Sequence, residues 1–215
     1  MLRQPRPGLE PIQAKLPQPM KLKAPNRMLR IICTVGLSCV GKTTLSRRLS
    51  ADLNCGFFST GNFEREQAKL LGYSDVIEYE KKLGLQLAYV DLFPEMYRQI
   101  EALSVVNDLI VVEGVYSPQF YSWITSHFCS ESVVVLNVTS PRNLRARRFA
   151  EREGVGIDVA KKKMRMLDRG KYEVGISEMQ LMSRSSSFAN RTTMEEVYRA
   201  IRQYIVAWLS RRSCR

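Results

Sequence analysis

The stretch Ile31-Ile32-Cys33-Thr34-Val35-Gly36-Leu37-Ser38-Cys39-Val40-Gly41-Lys42-Thr43 decides the fold. Its first five residues form a short, apolar run rich in β-branched side chains, which reads as a buried strand. Gly36 through Thr43 then fit the spacing Gly-x-x-x-x-Gly-Lys-Ser/Thr. A helix from about Lys42 to Leu53 follows, with Leu45, Leu49 and Leu53 on one face. Strand, glycine loop and helix in that order make a cradle for phosphate. Gly36 and Gly41 permit backbone angles that side chains forbid, so successive N–H groups turn inward, and the helix N-terminus adds its positive end. The expected ATP-binding set is therefore Gly36, Leu37, Ser38, Cys39, Val40, Gly41, Lys42, Thr43 and Thr44. Lys42 reaches the β- and γ-phosphates, and the Thr43 hydroxyl completes the shell of a Mg²⁺ ion. Cys39 reads as a tolerated small residue of the loop.

Outward from this motif, strands and helices alternate. Cys55–Phe58 reads as a second short strand, and Ser59-Thr60-Gly61-Asn62 as a turn that opens a helix. Ser74 is expected to cap a helix running through Leu83. Leu85 to Leu103 reads as largely helical, with Pro94 marking a break or kink. Asp108–Glu113 and Ser132–Val138 are continuous apolar strands, and Pro118–Phe128, Pro141–Glu153 and Asp158–Arg169 read as helices. Ser183–Ser187 reads as loop and Phe188–Asn190 as a short last strand. Thr193 with Glu196 is a capping box before a helix that buries Val197, Ile201, Ile205 and Trp208. Buried strands alternating with helices predict an α/β fold, a doubly wound parallel sheet with helices on both faces.

Charge and composition narrow the function. The 215 residues hold 33 Lys+Arg against 21 Asp+Glu, a formal net charge of +12. Much of the excess sits in residues 1–28, a basic segment that also carries Pro5, Pro7, Pro11, Pro17, Pro19 and Pro25 and so reads as an extended tail. A second short basic tail is 211–215, leaving a near-balanced domain over 29–210. Nucleic-acid binding through the tail is thus not the favoured reading. An apolar share of 45% supports a real core. No apolar run is long enough to span a bilayer, and residues 1–20 lack a secretory h-region. Cys33, Cys39, Cys55, Cys129 and Cys214 form no Cys-x-x-Cys pair, so reduced thiols in a cytoplasm are expected. The single His127, read as a surface residue at a helix end, excludes a histidine metal cluster.

The order of the remaining segments resembles the P-loop nucleoside monophosphate kinases, closest to the archaeal-type cytidylate kinases and related to dephospho-coenzyme A kinase. Ser59-Thr60-Gly61-Asn62-Phe63-Glu64-Arg65 is similar to the family's acceptor segment. Val111-Val112-Glu113-Gly114 resembles its strand ending in Leu-Glu-Gly, and Leu144–Gly154 its lid-entry helix. Arg165, Asp168 and Lys171-Tyr172, followed by Gly175-Ile176, resemble its closing segment. The resemblance implies phosphoryl transfer from ATP, with Mg²⁺, to a small nucleotide such as a cytidine or deoxycytidine monophosphate. It implies an acceptor site at Ser59, Gly61, Asn62, Arg65, Glu113 and Gly114. A helical lid over about 145–176 would bring the cations Arg148, Arg152, Arg165 and Arg169 to the migrating group beside Lys42. Phe57, Phe58 and Phe63 are read as core packing and Tyr172 as lid packing. A monomer is expected. Two positions depart from the family: its Arg after Glu-Gly is Val115 here, and its acceptor-segment Asp is Asn62. Dephospho-coenzyme A kinase, a non-catalytic ATP-binding regulator and a kinase for nucleic-acid ends stay open as alternatives.

Overall fold

The apolar run that opens the glycine loop is β1 (Arg30–Val35), and it lies at the centre of a five-stranded sheet. The computed structural model describes residues 29–83, 92–128, 132–183, 186–191 and 193–210. The other strands are β2 (Gly56–Ser59), β3 (Leu109–Glu113), β4 (Val133–Thr139) and β5 (Ser187–Ala189). Their spatial order is β2-β3-β1-β4-β5, and every pairing is parallel. The chain steps from β1 out to β2, returns to β3, then crosses to the far side of β1. Ligand crevices in such sheets open at the carboxyl ends of the strands where that reversal occurs. Thr34 pairs with Glu113, so the glycine loop after β1 and the carboxylate ending β3 share one edge.

The helices are α1 (Lys42–Asp52), α2 (Thr60–Leu70), α3 (Val76–Leu83), α4 (Phe93–Val106), α5 (Pro118–Phe128), α6 (Arg142–Glu153), α7 (Ile157–Glu173), α8 (Ile176–Met182) and α9 (Met194–Ser210). Side chains alternate across a strand, so β1 feeds two cores. Ile31, Cys33 and Val35 pack with Met96 and Ile100 of α4 and with Phe120 and Ile124 of α5. Ile32 faces the other way, toward Leu45 and Leu49 of α1 and Val197, Ile201 and Ile205 of α9. Each fully buried aliphatic side chain contributes about 1.5–3 kcal/mol. Trp208 is only partly buried, at the margin of that second core. The Thr193 capping box forms: the Glu196 N–H donates to Thr193 Oγ1 at 3.3 Å and the Thr193 N–H to Glu196 Oε2 at 3.5 Å. Phe58 and Phe63 pack in the first core and Phe57 against the second, as read.

Three local expectations need correction. Asp75, not Ser74, caps α3: its carboxylate accepts the Glu78 N–H at 2.8 Å, while Glu78 reaches back to the Ser74 hydroxyl and N–H. Pro94 stands in the first turn of α4, where the N–H it lacks would have no helical partner. The preceding stretch 85–91 lies outside the described residues, as do both tails. α7 runs on to Glu173, with Arg169 and Glu173 paired at 2.7 Å one turn apart. His127 is half-buried, stacked on Trp123 with ring centroids 4.3 Å apart. Tyr172 is half-exposed and lines a groove with Arg142 and Arg165. Among the described residues, no helix is long and apolar enough to cross a membrane.

Candidate active site

The loop after β1 is bent so that only glycine fits at its start. Gly36 has φ +148°, and a Cβ there would stand 2.3 Å from the Val138 carbonyl oxygen. At its end Gly41 is left-handed and caps α1 with no side chain. The first N–H groups of α1 therefore face the loop, the usual setting for an anion. The loop is anchored from α6 and α7. The Ser38 N–H donates to Asp168 Oδ1 at 2.9 Å, and Arg145 Nη1 donates to the Ser38 carbonyl at 3.1 Å and to Asp168 Oδ2 at 2.7 Å. From the other side, buried Asn190 donates to the Val40 carbonyl at 2.8 Å.

Two lysines converge inside this frame. Lys42 Nζ donates to the Leu37 carbonyl at 2.9 Å, and Lys171 Nζ donates to Ser38 Oγ at 2.6 Å. Both ammonium groups lie over the Tyr116 ring, at 5.5 and 5.0 Å from its centroid. Burial, and then the charge of Lys171, pull Lys42 from the ordinary lysine range down to about 7. Burial also lowers Lys171. Two cations held this close favour an anion beside them. Glu113, buried at the end of β3, accepts the Ser59 hydroxyl at 2.5 Å.

A cavity of about 140 Å³ joins these groups. Of the expected site residues it is lined by Ser38, Cys39, Lys42, Thr43, Gly61, Arg65, Glu113 and Arg152. Gly36, Gly41 and Gly114 shape the backbone around it. Gly114 has φ +89°, and Thr60 Oγ1 donates to its carbonyl at 2.8 Å. Leu37 and Val40 pack into the hydrophobic core. Ser59 lines a second groove and touches the cavity through Glu113. Arg148 grips the loop from outside, with Nη1 at 3.5 and 3.4 Å from the Cys39 and Val40 carbonyls and Nη2 at 3.1 Å from Asn190 Oδ1.

Four expected residues stand elsewhere. Thr44 is exposed, one residue past the inward turn of α1. Asn62 lines the second groove beside Phe57 and Phe63, and its Oδ1 accepts from Arg65 at 2.5 Å. Arg165 and Arg169 are four apart on the outer face of α7 and line a separate groove with Arg142 and Tyr172. The inner face of α7 instead carries Met164, Asp168 and Lys171, at the i, i+4, i+7 spacing. That spacing is visible in the sequence and distinguishes Lys171 from its neighbours. Glu64, which falls within the acceptor segment, and Glu80 and Tyr116 also line the cavity, though none of the three was among the expected site residues.

Thr43 and Glu113 offer hard oxygen donors on one cavity wall. Mg²⁺ takes few protein ligands and keeps its waters, so this donor set fits a nucleotide-borne ion. Among the described residues no group of three or more His, Cys, Asp or Glu is placed to hold a metal by itself.

Comparison with known proteins follows the same lines. The profile of a family described as AAA domain matches residues 32–183, more than half of the chain. The chain belongs to that family. A cytidylate kinase of Methanobrevibacter smithii is 27% identical over 136 residues, covering 63% of this chain and 72% of that protein. A cytidylate kinase of Thermococcus sibiricus is 29% identical over 140 residues, covering 63% of each chain, so under two thirds of that relative is spanned. Among solved structures, the shikimate kinase of Acinetobacter baumannii in complex with shikimate aligns with a TM-score of 0.51 at 16% identity, over 86% of this chain and 96% of that one. A gluconokinase of Sinorhizobium meliloti aligns at 0.51 and 14%, over 86% and 94%. At these identities the structures share the fold alone. Family and fold together bear out the expected P-loop nucleoside monophosphate kinase architecture and the class of ATP-dependent kinase.

Proposed function

We propose that this P-loop kinase moves the γ-phosphoryl group of ATP onto the phosphate of a small nucleotide, with cytidine or deoxycytidine monophosphate as acceptor. The observation that carries this reading is one continuous cavity. It joins Ser38, Lys42 and Thr43 of the glycine loop to Arg65 of α2 and Arg152 of α6. Kinase chemistry asks a protein mainly to position two anions and to meet the charge that develops between them.

In this reading the ATP phosphates lie on the loop N–H groups and the start of α1. Lys42 leaves the Leu37 carbonyl for the β- and γ-oxygens, and Lys171 leaves Ser38 for the γ-phosphate. Thr43 would hold Mg²⁺ and Glu113 would orient one of its waters; when bound, the ion would supply neutralising charge to the phosphates. The Arg65 guanidinium grips the acceptor phosphate with two N–H groups. An acceptor oxygen then bonds to the γ-phosphorus as the bond to the bridging oxygen breaks, leaving ADP and a nucleoside diphosphate. Lys171 and Arg152 meet the charge on the migrating group.

The lid of this reading is 145–176. Its turn at Gly154–Gly156 supports that role, since neither glycine has an atom within 4 Å of where a Cβ would stand. Closure excludes water that would otherwise hydrolyse ATP. The free thiols Cys33, Cys39 and Cys55 are in keeping with a cytoplasmic protein, which we take to act as a monomer.

Val115 favours a second reading. It is fully buried in the core and offers the acceptor no cation. That supports an ATP-binding protein without transfer, or an acceptor of the dephospho-coenzyme A type. ADP release from Mg·ATP, measured against CMP, dCMP, UMP, AMP, GMP, dephospho-coenzyme A and a 5′-hydroxyl oligonucleotide, separates these. Turnover with CMP or dCMP that Lys42→Ala abolishes is the expected result. ATP binding with no stimulation by any acceptor selects the regulator.

A further inference from the structure

Two further carboxyl groups enter the lining of the same cavity. Glu64 of α2 and Glu80 of α3 both line it. Glu64 Oε1 is buried and has no hydrogen-bond partner among the described residues. A buried acceptor left unpaired is costly, so this oxygen is poised for a donor from a ligand. Near it stand Lys171, Arg65 and Glu113 along with Glu80, and Glu80 in turn faces Lys171, Glu173 and Asp75. Burial, and then the charge of Glu80, raise Glu64 to about 8, and burial raises Glu80 to about 7. Near neutrality such a pair holds at least one proton, presenting O–H and carboxylate oxygen together.

The walls around this pair are apolar. Val76, Tyr79, Leu92 and Val174 line the same space, which suits a planar ring. A phosphate is repelled by the carboxyl groups and drawn to Lys42, Lys171 and Arg65. A ligand that fills the cavity therefore carries its phosphate at one end and hydrogen-bond donors at the other. An amino group on a nitrogen heterocycle offers two N–H donors, enough for both carboxyl groups. The ring nitrogen beside it accepts the one carboxyl proton. A ring with a carbonyl in that place brings one ring N–H for the carboxylate and one oxygen for the carboxyl proton, two bonds in place of three, and satisfies the pair less fully.

Resting on the phosphoryl-transfer reading above, we infer that Glu64 and Glu80 are specificity-determining residues of the acceptor end, and that they select an amino-substituted heterocycle over its carbonyl counterpart. Cytosine and adenine share this amino-and-ring-nitrogen edge; uracil and hypoxanthine replace the amine with a carbonyl.

Calorimetric titration of the full chain at pH 7 tests this with two pairs, CMP against UMP and AMP against IMP. At least one amino member is expected to bind about tenfold or more tighter than its partner. Glu64→Leu and Glu80→Leu should each bring that ratio within about threefold, while Glu64→Gln, which keeps one donor and one acceptor, retains most of it. ATP affinity reports that each variant is folded. A wild-type ratio near one, or a ratio unmoved by both leucine variants, overturns the inference. If Lys42-dependent turnover persists in that case, only the specificity assignment falls. Loss of ATP binding by the wild-type chain takes down the kinase reading and this inference with it.

Discussion

Arg145 and Asp168 form a buried ion pair at 2.7 Å that holds both peptide groups of one loop residue. Asp168 accepts the Ser38 N–H and Arg145 donates to the Ser38 carbonyl, so α6 and α7 set the loop's conformation. The two side chains are only 7% and 10% exposed. Removing either partner strands a buried charge, at a cost of about 3–5 kcal/mol. Arg145→Ala and Asp168→Ala should each lower the unfolding free energy measured in urea by that amount and weaken ATP binding together with it. Replacing both by Met and Leu should recover stability but not ATP affinity. Recovery of both would show the pair to be a packing element without a role in shaping the loop.

Lys42 links ATP binding to protons. Its position near 7 leaves it largely neutral at pH 8 and largely charged at pH 6. A bound triphosphate restores the charged form. ATP binding should then take up most of a proton at pH 8 and little at pH 6, read from calorimetry in buffers of different ionisation enthalpy. Affinity should fall as pH rises through 7 to 9, and ionisation of Glu64 and Glu80 acts in the same direction. Lys42→Ala should remove most of the uptake. Equal uptake at both pH values in the wild-type chain contradicts the assignment.

Gly36 has no room for a side chain. A methyl group there meets the Val138 carbonyl oxygen at 2.3 Å, and that oxygen belongs to the backbone of β4. Gly36→Ala should therefore cost about 1–3 kcal/mol, as overpacking does, and weaken ATP binding more than stability. Gly154→Ala, with open space around it, is the matched control for a left-handed glycine. Comparable losses at the two positions would leave only backbone strain as the cause.

Much of the architecture was legible because it rests on short-range patterns. The apolar runs of β1, β3 and β4, the glycine loop and the Thr193 capping box each declare themselves within a few residues. The lid cations were less so. Arg165 and Arg169 satisfy the same spacing as a site-facing pair, yet α7 turns them outward because Met164 and Asp168 claim the inner face. Which stripe faces inward depends on packing against α6, where Ala146 and Phe149 meet Ala160 and Met164. Glu64 and Glu80 were illegible for a related reason: they lie on different helices, and only the tertiary fold brings both into one cavity.

Glu64 also sets a pH dependence of stability. Folded, it keeps its proton up to about 8; unfolded, it releases it near 4.5. The folded state thus binds more protons between those values, so the stability from this group is full below about 4.5 and is lost as pH rises through 8. Glu64→Gln should match the wild-type chain near pH 4.5 and exceed it by about 3 °C or more in Tm at pH 8.5. An identical offset at both pH values would mean that Glu64 titrates normally.

Phosphorus NMR of the full chain with Mg·ATP and CMP tests the central claim most directly, because it follows every phosphorus atom. The expected result is CDP and ADP appearing in equal amounts, with no inorganic phosphate, and neither product with Lys42→Ala. ATP that stays intact with each acceptor monophosphate tried, or that yields only ADP and inorganic phosphate, contradicts transfer to a nucleotide in this cavity.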